Sequence, residues 1–518
     1  IKNVDGNATE FEGYQIFNAD VDNDGNVSNI TWVNSEVKSA VEGVIRKEEK
    51  SYTGTTAQDA ADWITNNVKN TDKTTRVDSD SVAYKIAAAV DDLIPTVKTN
   101  NQKVENLKHG YWLFVTDAST INAGGAGTSP IFTVVGSKPV DITEKTGVPT
   151  VEKKIVSDKD SREYDAADSQ IGQNVTYNLY GTIAENYDKY DTYFYKFSDQ
   201  ISKGLTLQKG AKVYLYKNKA DAKGDLARTE GTNITDKFKE SNDEAAEDGS
   251  KTTRWTCDNL KNVNGVTKDS CIVVSYTAQI NKQAIVAGTG SNDNAVVLKY
   301  SNNPMNKESR GQTPLDKVKD YTYGLKINKV DLGTEKPLEG ARFTITTKGD
   351  ESNKNDKYVN DDGMLSDSEV ILSTNVNGAI QLTGLDAGIY TVTEVSAPSG
   401  YAKVDPFTFE IKPNMKADDL DAGPTKLGGV LTTDQGGKVI AGLTDGNSGD
   451  NNLVAAPNSE KDTNGIFNIT VGDTKQVGLP LTGLNGVTFT WIAGGAVLCI
   501  GVAHLIRSRK QAEESEQE

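Results

Sequence analysis

The sequence predicts a mainly β protein built as several β-sandwiches in series, with some helix near the N-terminus and a membrane-spanning helix near the C-terminus. The first observation behind this prediction is that apolar and polar residues alternate along many short stretches. The second is that many of the 47 glycines stand with Asn and Asp between those stretches, where turns need positive φ. The third is one long uncharged, largely apolar segment close to the C-terminus.

Alternation with a period of two predicts the strands. It is clearest in "KVYLYKN" (Lys212–Asn218), "ARFTITTKG" (Ala341–Gly349), "GIYTVTEV" (Gly388–Val395) and "FTFEIKP" (Phe407–Pro413). Helical patterns are concentrated in the first 110 residues. There, "AQDAADWITNNVKN" and "SVAYKIAAAVDDLI" carry apolar residues at three- and four-residue spacing.

Length and composition exclude several classes of function. A chain of 518 residues suggests three or four domains. A net charge of −17 argues against binding to nucleic acid or to an anionic membrane surface. Three scattered cysteines do not suggest a zinc site, and two histidines (His109 and His504) provide no Ser-His-Asp or Cys-His set. We therefore expect neither an enzyme nor a cofactor.

Two stretches are predicted junctions between strand systems: "PVDITEKTGVPT" (Pro139–Thr150) and "DYTYGLKINKVD" (Asp320–Asp331). The predicted domains are an N-terminal domain (1–146), a middle domain (147–322), a third domain (323–477) and a C-terminal segment (478–518).

The C-terminal segment predicts a membrane helix. Residues 486–506 carry no charge and are about long enough to cross a bilayer. Arg507, Arg509 and Lys510 then mark the cytoplasmic side, which leaves the bulk of the chain outside the membrane. Because the sequence begins with Ile1, we expect that a leader peptide has been removed.

Several motifs resemble those of sortase-assembled backbone pilins of Gram-positive bacteria. "LPLTG" (Leu479, Pro480, Leu481, Thr482, Gly483), followed by an apolar span and a basic tail, resembles a cell-wall sorting signal. "GLDAGIYTVTEVSAPSGY" (Gly384–Tyr401) and "LKINKVD…LEGARFTI" (Leu325–Ile345) are similar to the collagen-adhesin B-type domain of such pilins. "YFYKFSDQISKGLTL" (Tyr193–Leu207) and "NAVVLKYSNNP" (Asn294–Pro304) resemble their middle domain.

This resemblance implies immunoglobulin-like sandwiches of the collagen-adhesin type. It also implies that a sortase cleaves between Thr482 and Gly483 and passes the Thr482 carbonyl to an amine. The family's pilin motif usually reads Tyr-Pro-Lys-Asn, whereas the corresponding stretch here is "DITEKTG". Its lysine, Lys145, is the expected amine donor, with Lys138 and Lys153 as the nearest rivals.

The resemblance further implies two intramolecular isopeptide bonds. In the third domain the trio is Lys329, Glu394 and Asp473, and the bond would release water because an Asp stands where relatives more often have Asn. The chemistry requires a lysine amine made neutral by burial and a neutral carboxylic acid beside the acceptor.

The second trio is Lys153, Asp199 and Asn294, with Asp199 as the neutral acid. "PTVEKKIV" leaves a choice between Lys153 and Lys154, which face opposite sides of a strand. Lys153 shares its side with Val151 and Ile155, which favours Lys153.

Two other patterns suggest local structure. Cys257 and Cys271 enclose "NVNG", a plausible hairpin turn, and an exported protein permits a disulfide between them, which we favour over two free thiols. "DVDNDG" (Asp20–Gly25) has the Asp spacing of a calcium loop. Thr31 occupies the position of the bidentate Glu, however, so a polar hairpin turn is favoured and no metal is expected.

The function predicted is a structural one: the shaft subunit of a covalently polymerised pilus on the cell surface. Its partners would be a pilus-specific and a housekeeping sortase, neighbouring copies of itself, minor pilins and peptidoglycan. The alternative is a wall-anchored adhesin, or a tip or base pilin, for which a host surface is a further partner. A donor lysine at Lys145 discriminates between the shaft and the base subunit.

Overall fold

A computed structural model of the chain describes residues 1, 9–67, 81–99, 104–122, 124–142, 147–286, 290–347, 356–413, 427–431, 441–442 and 466–476. Within these residues the chain is mainly β, as predicted, and the sheets follow one another along the sequence.

The first group of elements is one sheet with helices packed on it. It contains β1 (Phe11–Val21), β2 (Val27–Trp32), α1 (Ser35–Glu48), α2 (Ala57–Asn67), α3 (Val82–Val90), β3 (Val97–Thr99), β4 (Gly110–Thr116), a 3-10 helix (Ala118–Thr120) and β5 (Ile131–Val135). The strand order is β2-β1-β4-β5, and β3 also pairs with β1. Buried side chains of the three helices share a core with residues of β1 and β4.

Local sequence explains these helices. The Asn34 side chain caps α1 by accepting a hydrogen bond from Val37 N at 2.8 Å. Val37, Val41, Val44 and Ile45 then fall on one buried face. The helical patterns predicted around residues 57–70 and 81–94 are confirmed as α2 and α3. Helix α1 has the same kind of apolar face, although the sequence analysis had not singled it out.

The second group consists of two sheets. It contains β6 (Val151–Val156), β7 (Glu163–Tyr164), β8 (Ala166–Asp168), β9 (Asn174–Thr182), β10 (Tyr195–Ile201), β11 (Leu205–Leu207), β12 (Lys212–Tyr216), α4 (Lys219–Gly224), β13 (Thr232–Asn233), β14 (Lys239–Asn242), β15 (Lys251–Cys257), β16 (Cys271–Ile280), β17 (Asn292–Ser301), β18 (Arg310–Gln312) and β19 (Asp316–Tyr321). Short 3-10 helices lie at Tyr187–Lys189, Thr235–Lys237 and Leu260–Asn262.

One sheet of this group has the order β13-β12-β16-β9-β6-β7, with β11 on β16. The other has the order β14-β15-β10-β17-β19-β8, with β18 on β17. Alternate residues of both sheets, such as Tyr177 and Leu179 on β9 and Phe197 on β10, meet in one core. Strand β6 therefore faces β10 and β17 across this core.

The third group also contains two sheets. Its strands are β20 (Tyr323–Asp331), β21 (Arg342–Thr347), β22 (Tyr358–Val359), β23 (Leu365–Ser366), β24 (Leu372–Ser373), β25 (Ala379–Leu385), β26 (Gly388–Ser396), β27 (Tyr401–Ala402), β28 (Phe407–Pro413), β29 (Leu427–Leu431), β30 (Ala441–Gly442) and β31 (Ile466–Lys475).

In one sheet β25, β20, β31 and β27 are neighbours in that order, and β30 also pairs with β31. The other has the order β23-β22-β21-β26-β28-β29, with β24 on β21. Strands β20 and β31, the first and the last of the group, run parallel and side by side. The four stretches predicted as strands from their alternation are confirmed as β12, β21, β26 and β28.

The second and third groups are in direct contact. Ile171 N, in the loop between β8 and β9, donates a hydrogen bond to Gly384 O of β25 at 2.8 Å. Gln170, in the same loop, accepts one from Asp386 N at 3.0 Å.

Among the described residues, no helix combines the length and the apolar character needed to cross a bilayer. The predicted membrane segment, 486–506, lies outside those residues.

Candidate functional site

The structure brings together the three residues of the trio predicted in the middle domain. Lys153 lies on β6, Asp199 on β10 and Asn294 on β17, and at most 1% of any of the three is exposed. Asp199 and Asn294 are close because β10 and β17 are paired, with Ile201 opposite Asn294. Lys153 reaches them from the facing sheet.

The contacts centre on the Lys153 amine. Its Nζ donates to both Asp199 carboxylate oxygens at 2.7 Å, and to the Tyr276 hydroxyl at 3.0 Å. Asn294 Nδ2 donates to the same Tyr276 hydroxyl at 2.7 Å. Asn294 Oδ1 is buried and has no hydrogen-bond partner among the described residues.

The surroundings of this cluster are apolar and aromatic. Lys153 Nζ lies 5.6 Å from the centre of the Tyr177 ring and 5.3 Å from that of Tyr276. Burial lowers the pKa of Lys153 to about 8, although Asp199 acts in the opposite direction. Burial likewise raises the pKa of Asp199, in spite of the neighbouring amine. Both shifts favour the neutral pair that amide formation requires.

Lys154, the alternative in the sequence, lies on the opposite face of β6. Its Nζ is 2.5 Å from Asp165 and 3.5 Å from Glu152, and its side chain is partly exposed. The geometry thus favours Lys153, as the alternation along the strand indicated.

The trio predicted in the third domain is also brought together. Lys329 lies on β20, Asp473 on β31 and Glu394 on β26 of the facing sheet, and all three side chains are buried. The parallel register sets Asp331 opposite Asp473, so Lys329 is diagonal to Asp473.

Lys329 Nζ contacts Asp473 Oδ1 and lies 3.0 Å from Glu394 Oε1. The other Glu394 oxygen accepts a hydrogen bond from Val404 N at 2.8 Å, which fixes the carboxyl. Asp473 Oδ2 is buried without a partner in the described part of the chain. Burial raises the pKa of Asp473 to about 6, and Glu394 adds to this while Lys329 opposes it.

The predicted disulfide is wrong. Cys257 and Cys271 are free thiols, because β15 and β16 do not form a hairpin but belong to different sheets. Cys257 packs in the core between the two sheets, whereas Cys271 packs with Tyr180 and Tyr216 on the other face of its sheet. The turn signal in "NVNG" was present, but it says nothing about which strands pair.

The Asp20–Gly25 stretch forms a turn between β1 and β2, which are paired. Asp22 Oδ1 accepts hydrogen bonds from Asp24 N at 2.8 Å and from Asn26 N at 2.9 Å. The carboxylate therefore closes the hairpin turn, as favoured from the sequence.

Two other predicted sites lie outside the described residues: Lys145 and the sorting motif Leu479–Gly483. Lys138, one rival of Lys145, is exposed.

Sequence reasoning missed Tyr276. Its position was encoded in the alternation of "CIVVSYTAQI" (Cys271–Ile280), where Val274, Tyr276 and Ala278 point into the same core as Lys153. Nothing in that pattern, however, distinguishes a tyrosine that contacts reacting groups from one that only fills space.

Comparisons with known proteins give matches of three kinds: a family model, a curated relative and solved structures. A family model described as the SpaA prealbumin-like fold domain matches residues 324–425. The trypsin-resistant surface T6 protein of Streptococcus pyogenes serotype M6 is 28% identical over 319 residues, which are 56% of this chain and 50% of that protein. The chain thus spans about half the length of the curated relative that it matches.

The third match is a solved structure, the T6 backbone pilin of serotype M6 Streptococcus pyogenes, described as a modular three-domain structure. It superposes with a TM-score of 0.51 at 18% identity, covering 92% of this chain and 97% of that one. These matches agree with the sequence motifs: residues 324–425 are similar to a SpaA prealbumin-like domain, and the chain resembles the backbone pilins of Gram-positive bacteria.

Proposed function

We propose that this chain is the shaft subunit of a covalently polymerised pilus on a Gram-positive cell surface. Successive copies would be joined by a sortase between Thr482 of one subunit and Lys145 of the next. Two internal amide bonds, Lys153–Asn294 and Lys329–Asp473, would stiffen the domains that begin near residues 147 and 323. The chain would be the substrate of an enzyme and not itself an enzyme.

The observation that carries this proposal is the pair of buried lysine clusters. An ordinary ion pair is exposed, whereas Lys153 and Lys329 are each fully buried beside a carboxyl group and an acceptor from another strand. For Lys153, burial lowers the pKa to about 8 and so favours the neutral amine, which is the nucleophilic form.

The chemistry follows from these contacts. Lys153 Nζ attacks the Asn294 side-chain carbonyl carbon, the carbon–Nδ2 bond breaks and ammonia leaves. Asp199, kept neutral by burial, donates its proton to polarise the amide. In the other cluster Lys329 Nζ attacks the Asp473 carboxyl carbon, water leaves, and the Glu394 carboxyl, 3.0 Å from Nζ, polarises the acceptor group.

Intact-mass measurement tests both bonds. Residues 1–482 should weigh about 35 Da less than calculated, because one bond releases about 17 Da of ammonia and the other about 18 Da of water. Asp199→Ala should restore only the ammonia and Glu394→Ala only the water. Lys154→Met is the matched control, since its side chain lies on the other face of β6, and it should keep the full loss. A wild-type protein of unshifted mass would refute both bonds.

Polymerisation is tested with the cognate sortase. Lys145→Arg should abolish the high-mass ladder while secretion and wall anchoring of the monomer persist. Lys138→Arg is the control and should leave the ladder intact. A ladder that survives Lys145→Arg, or a cross-linked peptide that joins Thr482 to another lysine, would refute the donor assignment. An anchored monomer that never forms a ladder would instead favour an adhesin or a minor pilin.

A further inference from the structure

Tyr276 lies between the two nitrogen atoms that take part in the proposed Lys153–Asn294 bond formation. Its hydroxyl accepts hydrogen bonds from both the attacking atom, Lys153 Nζ, at 3.0 Å, and the departing atom, Asn294 Nδ2, at 2.7 Å. The hydroxyl also interacts with the Asp199 carboxyl. One oxygen atom therefore contacts both the attacking and the departing nitrogen.

The ring of Tyr276 is held in place independently of these contacts. It stacks on Trp255 at 5.3 Å between centroids and on Tyr177 at 5.5 Å. It is almost fully buried on β16, in the sheet that also contains β6. The hydroxyl is thus placed before the reaction and needs no rearrangement to reach the reacting atoms.

Amide formation at this site requires one proton transfer. Lys153 Nζ must lose a proton as the new bond forms, and the Asn294 nitrogen must gain one before it can leave as ammonia. In the starting amide this nitrogen is not basic, so it donates to Tyr276. Once the carbon has become tetrahedral, the nitrogen is an ordinary amine that accepts a proton.

We propose that Tyr276 is a catalytic residue of Lys153–Asn294 bond formation that relays a proton from Lys153 Nζ to the departing Asn294 nitrogen. Its oxygen receives the Nζ proton while its own hydroxyl proton passes to Nδ2. The carbon–Nδ2 bond breaks, the carbon–Nζ bond remains, ammonia leaves and Tyr276 is regenerated. The step is balanced and needs no co-reactant, and it rests on the proposed function because it presupposes this bond.

Burial raises the pKa of Tyr276 well above its ordinary value, mainly by desolvation and also through the nearby Asp199. The hydroxyl therefore keeps its proton at neutral pH and is present in the form that the relay uses. Asp199 is left to polarise the carbonyl oxygen, so the two groups have separate roles.

The test follows bond formation during cell-free synthesis of the full chain, with acid quenching, peptide mapping and mass spectrometry. Tyr276→Phe keeps the stacked ring and removes only the hydroxyl. It should slow formation of the Lys153–Asn294 bond by at least about 100-fold, the usual effect of losing a positioned proton donor. The Lys329–Asp473 bond of the same molecules should form at the wild-type rate.

The matched control is Tyr300→Phe. Tyr300 lies on β17, the strand of Asn294, and its buried hydroxyl has no partner among the described residues. This variant loses a core hydroxyl without touching the reacting atoms, so it should form both bonds at the wild-type rate. If Tyr300→Phe also formed the Lys153–Asn294 bond more slowly, core packing and not proton relay would limit the reaction.

A second variant distinguishes a proton relay from a loss of core packing. Difluorotyrosine placed at position 276 keeps the hydroxyl and nearly the same shape but lowers the pKa of the phenol. A relay predicts a changed rate of bond formation and a shifted pH–rate profile, whereas a packing role predicts neither. An unchanged rate in both this variant and Tyr276→Phe would overturn the inference. Absence of the 17 Da loss from the wild type would instead overturn the bond itself.

Discussion

A lysine buried without water is normally a liability, because its ammonium loses its hydration. In both clusters some of the buried atoms without hydrogen-bond partners belong to the acceptor groups, namely Asn294 Oδ1 and Asp473 Oδ2. Such orphaned groups are uncommon in native proteins and call for a reason. Here the reason is chemical, because an acceptor oxygen that no other group holds is free for the neighbouring acid to polarise during the proposed amide formation.

Asp320, on β19, is a buried acid of a different kind. Its Oδ2 accepts hydrogen bonds from Ser169 Oγ at 3.1 Å and Tyr177 OH at 3.3 Å, and no lysine pairs with it in the described chain. Burial raises its pKa well above the ordinary value, and nearby Asp168 adds to the shift.

Because the folded pKa of Asp320 is raised, its contribution to stability is complete below the unfolded pKa, about 3.9. That contribution is lost as the pH rises through the folded pKa. Asp320→Asn should therefore lose less stability between about pH 4 and pH 8 than the wild type does. Calorimetric melting across this range checks the prediction, with the surface variant Glu308→Gln as control. Parallel curves for the wild type and Asp320→Asn would contradict it.

At the scale of elements, the loop that contains Ile171 packs on β25 at Gly384. This glycine has φ +87°, and a Cβ added there would lie 2.0 Å from Ile171 Cδ1. Gly384→Ala should therefore separate loop and strand and destabilise the contact between the second and third groups by about 1–3 kcal/mol.

Gly340→Ala is the matched control for this substitution. Gly340 has φ +80° with open space around its Cβ position, so the variant carries the backbone strain without the clash. Denaturant unfolding should show a larger loss for Gly384→Ala than for Gly340→Ala. Equal losses would mean that backbone strain alone, and not the packing of Ile171, accounts for the effect.

Much of this architecture was predictable, because alternation is a local signal. β12, β21, β26 and β28 followed from it directly, and the same parity placed Lys153 inside. Pairing between strands is not a local property of the sequence. The turn signal between Cys257 and Cys271 therefore predicts a hairpin, whereas β15 and β16 lie in different sheets. The role of Tyr276 could not be predicted for the same reason, since the residues that its hydroxyl contacts lie on β6 and β17.

The whole molecule can be considered as a path for tension. In the proposed polymer, force enters each subunit at Lys145 and leaves at Thr482, so it passes through the second and third groups of sheets and bypasses the first. The two buried lysine clusters lie in those two groups. In the first sheet, by contrast, Lys98 contacts Glu12 at 2.7 Å and Asp117 at 2.8 Å, but its side chain is 52% exposed. Such an amine stays hydrated and charged, which is unsuitable for an amide bond.

The positions of the two proposed bonds along this path determine which segments of the chain would unfold and lengthen under tension. Lys329 is on β20 and Asp473 on β31, the first and last strands of the third group, so a bond between them carries force past everything in between. A bond between Lys153 on β6 and Asn294 on β17 would carry force past most of the second group in the same way. Each proposed bond would therefore shield a segment of roughly 140 residues, about 500 Å of extended chain.

Single-molecule pulling between residues 147 and 476 measures this directly. The wild type should show no step of that size, Lys153→Met should gain one step of about 500 Å, and Lys329→Met should gain another of similar length. Lys154→Met should behave as the wild type does, because Lys154 lies on the other face of β6. Steps of about 500 Å in the wild type would show that the strands are held by hydrogen bonds alone, which yield under load, and that neither amide lies in the path of tension.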